Sequence, residues 1–163
     1  MYNIYGGRMK RKILIIVTSI LILIVLSGSY LIIKQDKNLT NKEFIRQMEE
    51  NDFQIYDAYA QFDNAMIKDA SVAFKSNYQI EFLVIDNIDN ARNVFLINKE
   101  KFLENKKENN EEISESNDTY SLYTLTTEDR YMYIKRVDNN LLYFNIDGSY
   151  KNEVEKIIKK LNF

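Results

Sequence analysis

From Ile13 to Ile33 the chain runs for 21 residues without a charged side chain, in a stretch dominated by Ile, Leu and Val. As an α-helix rising about 1.5 Å per residue, this segment is roughly 30 Å long, the thickness of a bilayer's hydrocarbon core. A helix that is hydrophobic all round must be buried all round. The 130 residues that follow it could hardly enclose it and still build a core of their own. The segment therefore reads as a transmembrane anchor bounded by Ile13 and Ile33. The rival reading is a removable signal peptide, with Ile13–Leu26 as its apolar region and cleavage after Ser27-Gly28-Ser29. Against it, Tyr30-Leu31-Ile32-Ile33 carries the apolar run on to Lys34.

The flanks give an orientation. Arg8, Lys10, Arg11 and Lys12 crowd the N-terminal side, whereas Lys34 and Lys37 on the other side are offset by Asp36. By the positive-inside rule, residues 1–12 are a cytoplasmic basic tail, 13–33 a single-pass signal anchor and 34–39 a short tether. Residues 40–163 then form an extracytoplasmic domain facing the cell envelope. Charge divides the same way. The first 33 residues hold four basic and no acidic groups, leaving 18 basic and 24 acidic groups in the remainder. Nothing there clusters Lys and Arg as a nucleic-acid face requires, so no nucleic-acid partner is expected.

Absent residue types narrow the chemistry further. The chain has no His, Cys, Pro or Trp. That removes disulfides, thiol nucleophiles, thiolate metal sites and every His-dependent catalytic arrangement. Asp86-Asn87-Ile88-Asp89-Asn90 lacks the Gly and closing Glu of a calcium loop and reads better as a helix cap. The acidic run through Glu108–Asp118 reads as a mobile loop with no specific ion site. No metal and no cofactor are expected.

The body resolves into alternating patterns. Thr40-Asn41-Lys42-Glu43 has capping-box spacing, followed by Phe44, Ile45 and Met48 on one helical face. Phe53–Tyr59 reads as a strand, and Ser71–Lys75 with Tyr78–Ile85 as a hairpin turning at Ser76-Asn77. A helix follows from Ile88 to Lys106 with Ile88, Ala91, Phe95 and Phe102 as its apolar stripe and Val94 and Leu103 beside it. Asn105–Asp118 is read as loop. Tyr120–Leu125, Arg130–Val137 and Leu141–Ile146 are strands, and Ser149 is placed as the cap of a closing helix carrying Val154, Ile157, Ile158 and Leu161. The order α-β-β-β-α-β-β-β-α, with short strand connections, gives the fold class α+β: an N-terminal transmembrane helix followed by one antiparallel-sheet domain.

These residues also carry a resemblance. Phe44, Met48 and Phe53 lead to Tyr78-Gln79-Ile80-Glu81-Phe82, then a helix with Ala91 and Phe95. Later, Arg136-Val137-Asp138-Asn139-Asn140-Leu141-Leu142-Tyr143 precedes Tyr150-Lys151-Asn152-Glu153-Val154. The pattern resembles a group of uncharacterised small lipoproteins and membrane-anchored extracytoplasmic proteins of low-GC Gram-positive bacteria. The resemblance implies a cell-envelope location and supplies no activity, ligand or catalytic residues. Those lipoproteins carry a lipid-modified Cys, for which this chain substitutes its apolar segment.

Tyrosine supplies the candidate site. Five of the twelve tyrosines fall between Tyr120 and Tyr143. If Met132, Ile134, Leu142, Phe144 and Ile146 face the helices, then Tyr131, Tyr133, Lys135 and Tyr143 face outward, joined by Leu83 and Ile85. That face is too apolar for ordinary solvation. The six residues are accordingly candidates for binding a protein partner or an envelope component. The alternative is that these rings pair across strands or are covered by the chain itself. A small envelope hydrolase using paired carboxylates is the runner-up function, but no pair is evident and four glycines leave little for active-site loops. The chain is read as a membrane-anchored, non-catalytic binding module, not an enzyme.

Overall fold

Thr40 opens the first helix as its spacing predicts. Its hydroxyl accepts from the Glu43 amide and Glu43 reaches back to the Thr40 amide, satisfying two donors that a helix start leaves unpaired. The computed structural model describes residues 38–62 and 65–163, which belong to one compact unit. The expected anchor, Ile13 to Ile33, lies outside the described residues. Among the described residues, no helix is long and apolar enough to cross a membrane. Where the tether ends, Asn38 bonds to Asp138 and Asn140, and Leu39 is buried.

Helix α1 spans Asn41–Glu49 and buries Phe44 and Met48. Asp52, at φ 65°, turns the chain into β1, Gln54–Asp57. This strand is shorter than expected because the Asp57 carboxylate accepts from the Tyr59 amide and starts a 3-10 turn, Tyr59–Gln61. β2 (Ile67–Lys75) and β3 (Tyr78–Ile85) form the expected hairpin, with β2 beginning earlier than the sequence indicated. α2 runs from Ile88 to Leu103, capped by Asn87. Then come β4 (Glu111–Ser116), β5 (Tyr120–Thr126), β6 (Arg130–Val137) and β7 (Asn140–Asp147), and finally α3, Lys151–Leu161. Ser149 does not cap α3, whose N-cap Tyr150 makes no side-chain capping bond; Asp147 instead caps the 3-10 turn Gly148–Tyr150 that leads into it, its carboxylate accepting from the Ser149 amide at 2.8 Å.

β4 corrects the loop expected over Asn105–Asp118. It is an edge strand exposed along its whole length, so no buried alternation marks it in the sequence. Backbone pairing with β5 forms it, from Glu111 opposite Thr126 to Ser116 opposite Ser121. The Lys106 ammonium on Glu112 and the Lys99 ammonium on the Ser114 hydroxyl hold it toward α2.

All seven strands join one antiparallel sheet in the order β1-β2-β3-β7-β6-β5-β4. The domain is thus α+β. Two meanders meet where β3 pairs with β7, and helices cover both faces. α1 and α3 pack with Ile80, Phe82, Tyr131, Tyr133, Leu142, Phe144 and Ile146. α2 packs through Ala91, Phe95 and Phe102 with Leu83, Ile85, Tyr123, Leu125, Met132, Ile134 and Leu141. Each aliphatic side chain so buried contributes about 1.5–3 kcal/mol.

Candidate functional site

The expected tyrosine face is overturned by strand register. β6 and β7 pair with Tyr131 opposite Ile146, Tyr133 opposite Phe144 and Lys135 opposite Leu142. Directly opposed residues share a face, so Tyr131 and Tyr133 stand with Phe144 and Ile146 beneath α1 and α3. Met132 and Ile134 lie on the other side. A shift of one residue in the assumed register reverses every side chain of a strand. Both tyrosines are core residues, about 95% buried. The Tyr133 ring stacks on Phe144 at 4.8 Å between centroids, and Tyr131 meets Phe144 edge-on at 5.5 Å. Burial, followed by the charge and hydrogen bond of Glu155, pushes the Tyr131 hydroxyl far above the usual phenol range.

Lys135 is buried too. Its ammonium donates to the Phe163 carbonyl oxygen and lies 4.9 Å from the Tyr120 ring centre. Leu83 and Ile85 are buried beneath α2. Of the six expected site residues only Tyr143 retains substantial exposure, and the six do not form one surface.

Tyr143 instead belongs to an arrangement assembled by four strands. Tyr56 of β1 opposes Val72 of β2, Val72 opposes Glu81 of β3, and Glu81 opposes Tyr143 of β7. One row lower stand Gln54, Phe74 and Gln79. Both rows lie on the α2 side of the sheet, and α2 reaches only the Tyr143 end of the upper one. It starts beside the end of β3, and its Phe102 ring stacks on Tyr123 and Tyr143 at 6.4 and 5.4 Å. The helix therefore lies over β5–β7 and the Leu83–Ile85 end of β3, and leaves Tyr56, Phe74, Gln79 and Glu81 on an open shelf.

Two adjoining concavities mark this shelf. One, of about 320 Å³, is bordered by Phe74, Gln79, Glu81, Tyr143 and Asn145. The other, of about 410 Å³, is bordered by Tyr56, Asp57, Gln61, Val72, Phe74 and Gln79. Phe74 and Gln79 belong to both. Tyr56 is 53% and Phe74 38% exposed. On the flanking helix Leu96 and Ile97 are each 53% exposed, so the α2 side carries more uncovered apolar surface than a solvated face requires.

Glu81 is the chemically distinctive member. It is half-buried, and burial raises its carboxyl above the usual carboxylate range, opposed by the Gln79 side-chain amide donating at 2.8 Å. Burial followed by the Glu81 charge raises the neighbouring Tyr143 hydroxyl, with Arg130 acting oppositely. Glu81 is not among the candidates singled out from the sequence. The available signal was its setting in Tyr78-Gln79-Ile80-Glu81-Phe82-Leu83-Val84-Ile85, a strand otherwise apolar on both faces from Ile80 onward.

Two other concavities are poorer candidates. One of about 800 Å³, between Lys107–Glu111 and Thr126–Asp129, is lined by polar loop residues without a buried titratable group. A smaller one of about 160 Å³ lies between α2 and the β4–β5 turn, lined by Arg92, Phe95, Leu96, Ser116, Asn117 and Ser121. Beside it, the fully buried Arg136 spends its terminal nitrogens on the Asn117, Asp118, Thr119 and Asp138 carbonyls and the Ser121 hydroxyl. Arg136 is a clamp on two turns. Among the described residues, no group of three or more acidic side chains is placed to hold a metal ion.

No family model matches the chain, and neither the curated proteins nor the solved structures contain a match.

Proposed function

We propose that the chain is a membrane-anchored, non-catalytic extracytoplasmic module that binds a protein partner through the Glu81 shelf. The anchor rests on the 21 uncharged residues from Ile13 to Ile33 and the basic flank before them. The observation that carries the binding role is a half-buried carboxylate on an aromatic- and amide-lined shelf that α2 leaves uncovered. Helices cover the centre of the sheet on both faces, and the aromatic surface of Tyr56 and Phe74 left open beside them is explained by a binding role. Glu81 is the half-buried carboxylate of the shelf, and Asp57 at its margin is exposed. A hydrolytic mechanism, which needs converging carboxylates, therefore has less support.

The test places a photo-crosslinking amino acid at Phe74 in the full-length chain within its host cell, with a second copy of the chain carrying it at Ile113 instead. Phe74 is on the shelf; Ile113 is 51% exposed and aligned with Thr124 and Tyr133 on the opposite face. A discrete adduct from position 74, lost when Tyr56 is changed to Ala and absent from position 113, supports the reading. Equal adducts from both positions, or none from the shelf, removes it. Location is tested separately, because the chain has no natural cysteine. In intact cells, Asp118→Cys on the exposed β4–β5 turn should react with a membrane-impermeant maleimide at full-length mass. Protection until lysis overturns the orientation.

A further inference from the structure

Glu81 is an anion without a cation. Among the described residues its side-chain partner is the neutral amide of Gln79, and no lysine or arginine forms an ion pair with it. Arg130, whose charge acts on the Tyr143 hydroxyl, spends Nε and Nη2 on Asn145, at 2.9 and 2.7 Å. A half-buried, unpaired carboxylate is an unfavourable element in a folded chain. A cation arriving from outside would meet it without displacing an existing ion pair. The surroundings select among cations. Phe74 of β2 offers an exposed ring in the same concavity as the carboxylate, Val72 of β2 stands directly opposite Glu81, and Tyr143 of β7 flanks it on the other side. An ammonium is strongly hydrated and loses that shell on such a surface. A guanidinium is planar and weakly hydrated, stacks on aromatic faces, and presents a fork that matches a carboxylate.

The geometry points to an arginine side chain of a basic protein partner as the occupant of the shelf, its guanidinium on Glu81 and stacked on Phe74. This rests on the shelf being the binding surface. The charge of the domain suits such a partner: residues 34–163 carry 18 basic and 24 acidic groups, a field that steers basic segments toward it.

The probes are N-acetyl-arginine N-methylamide, its uncharged citrulline counterpart and its lysine counterpart, titrated into the full-length chain in neutral detergent. Nuclear magnetic resonance shifts at Gln79, Glu81 and Tyr143 report occupancy. The arginine probe is expected to bind about tenfold more tightly than the citrulline probe, equivalent to about 1.4 kcal/mol. Glu81→Gln should reduce arginine binding to the citrulline level. Equal binding of arginine and citrulline probes, or unchanged arginine binding by Glu81→Gln, overturns the inference. Lysine binding as tight as arginine overturns the choice of guanidinium. An adduct from position 74 that survives Glu81→Gln removes this inference and leaves the binding surface standing; loss of every shelf adduct in the parent chain removes the surface itself.

Discussion

Tyr133→Ala separates a core residue from a recognition residue by magnitude. The Tyr133 ring is 6% exposed and stacks on Phe144 with an interplanar angle of 6°. Truncating a buried aromatic ring leaves a cavity that the surrounding side chains fill only in part, at a cost of about 3–5 kcal/mol. The lost stacking accounts for about 0.5–1.5 kcal/mol of that. Domains of ordinary size are stable by about 5–15 kcal/mol in total, so the variant should retain its fold with a sharply lowered midpoint. The assay is urea unfolding of the full-length chain in neutral detergent, followed by tyrosine near-ultraviolet circular dichroism. The slope against denaturant should stay constant while the midpoint falls. Tyr56→Ala, at a site 53% exposed, is the matched control and should change stability by less than about 0.5 kcal/mol. A Tyr133→Ala loss below about 1 kcal/mol, indistinguishable from the control, would refute the register that places this ring in the core.

Burial raises the Glu81 carboxyl, so between the unfolded carboxylate range and its higher folded value the native state binds more protons, and stability falls as pH rises through that window. Glu81→Gln should therefore be more stable than the parent at neutral pH and lose that advantage on acidification toward about pH 4, as urea unfolding at a series of pH values would show. Thr40→Ala removes the hydroxyl of the capping box and should lower stability by about 1 kcal/mol, with faster amide exchange in the first turn of α1. Arg136→Met strips the clamp from the Asn117–Thr119 turn; a loss of about 3 kcal/mol is expected, with exchange accelerating at that turn before the rest of the sheet. Glu111→Val with Glu115→Val removes the charges that guard the β4 edge, and gel filtration should then show self-association that the parent lacks.

The signals that reside in neighbouring residues were legible without a structure. Thr40 with Glu43, Asn87 with Asn90, and the Val154–Ile157–Leu161 spacing are interactions within a turn or two of helix, so sequence spacing alone specifies them. Tyr78–Ile85 and Arg130–Val137 likewise announce themselves by β-branched and aromatic content, and both are strands with the bounds expected. The 21-residue apolar run is read in the same local way, from its length and lack of charge, and lies outside the described residues.

What tertiary structure alone decided is which strand neighbours which, and in what register. β3 meets β7 across the 54 residues that separate Ile85 from Asn140, with Glu81 opposite Tyr143 and Val84 opposite Asn140. No local pattern encodes that pairing, and alternation has a period of two, so an offset of one residue in β6 against β7 was enough to turn a core into an apparent surface. β4 was invisible for a related reason: an edge strand with no buried side chain owes its existence to the hydrogen bonds of β5. The shelf combines both effects. Tyr56, Val72, Glu81 and Tyr143 are scattered through the sequence and align only when four strands pair, and α2 meets that row only at its Tyr143 end. The burial that raises the Glu81 carboxyl is a consequence of that placement and not of its own neighbours in the chain.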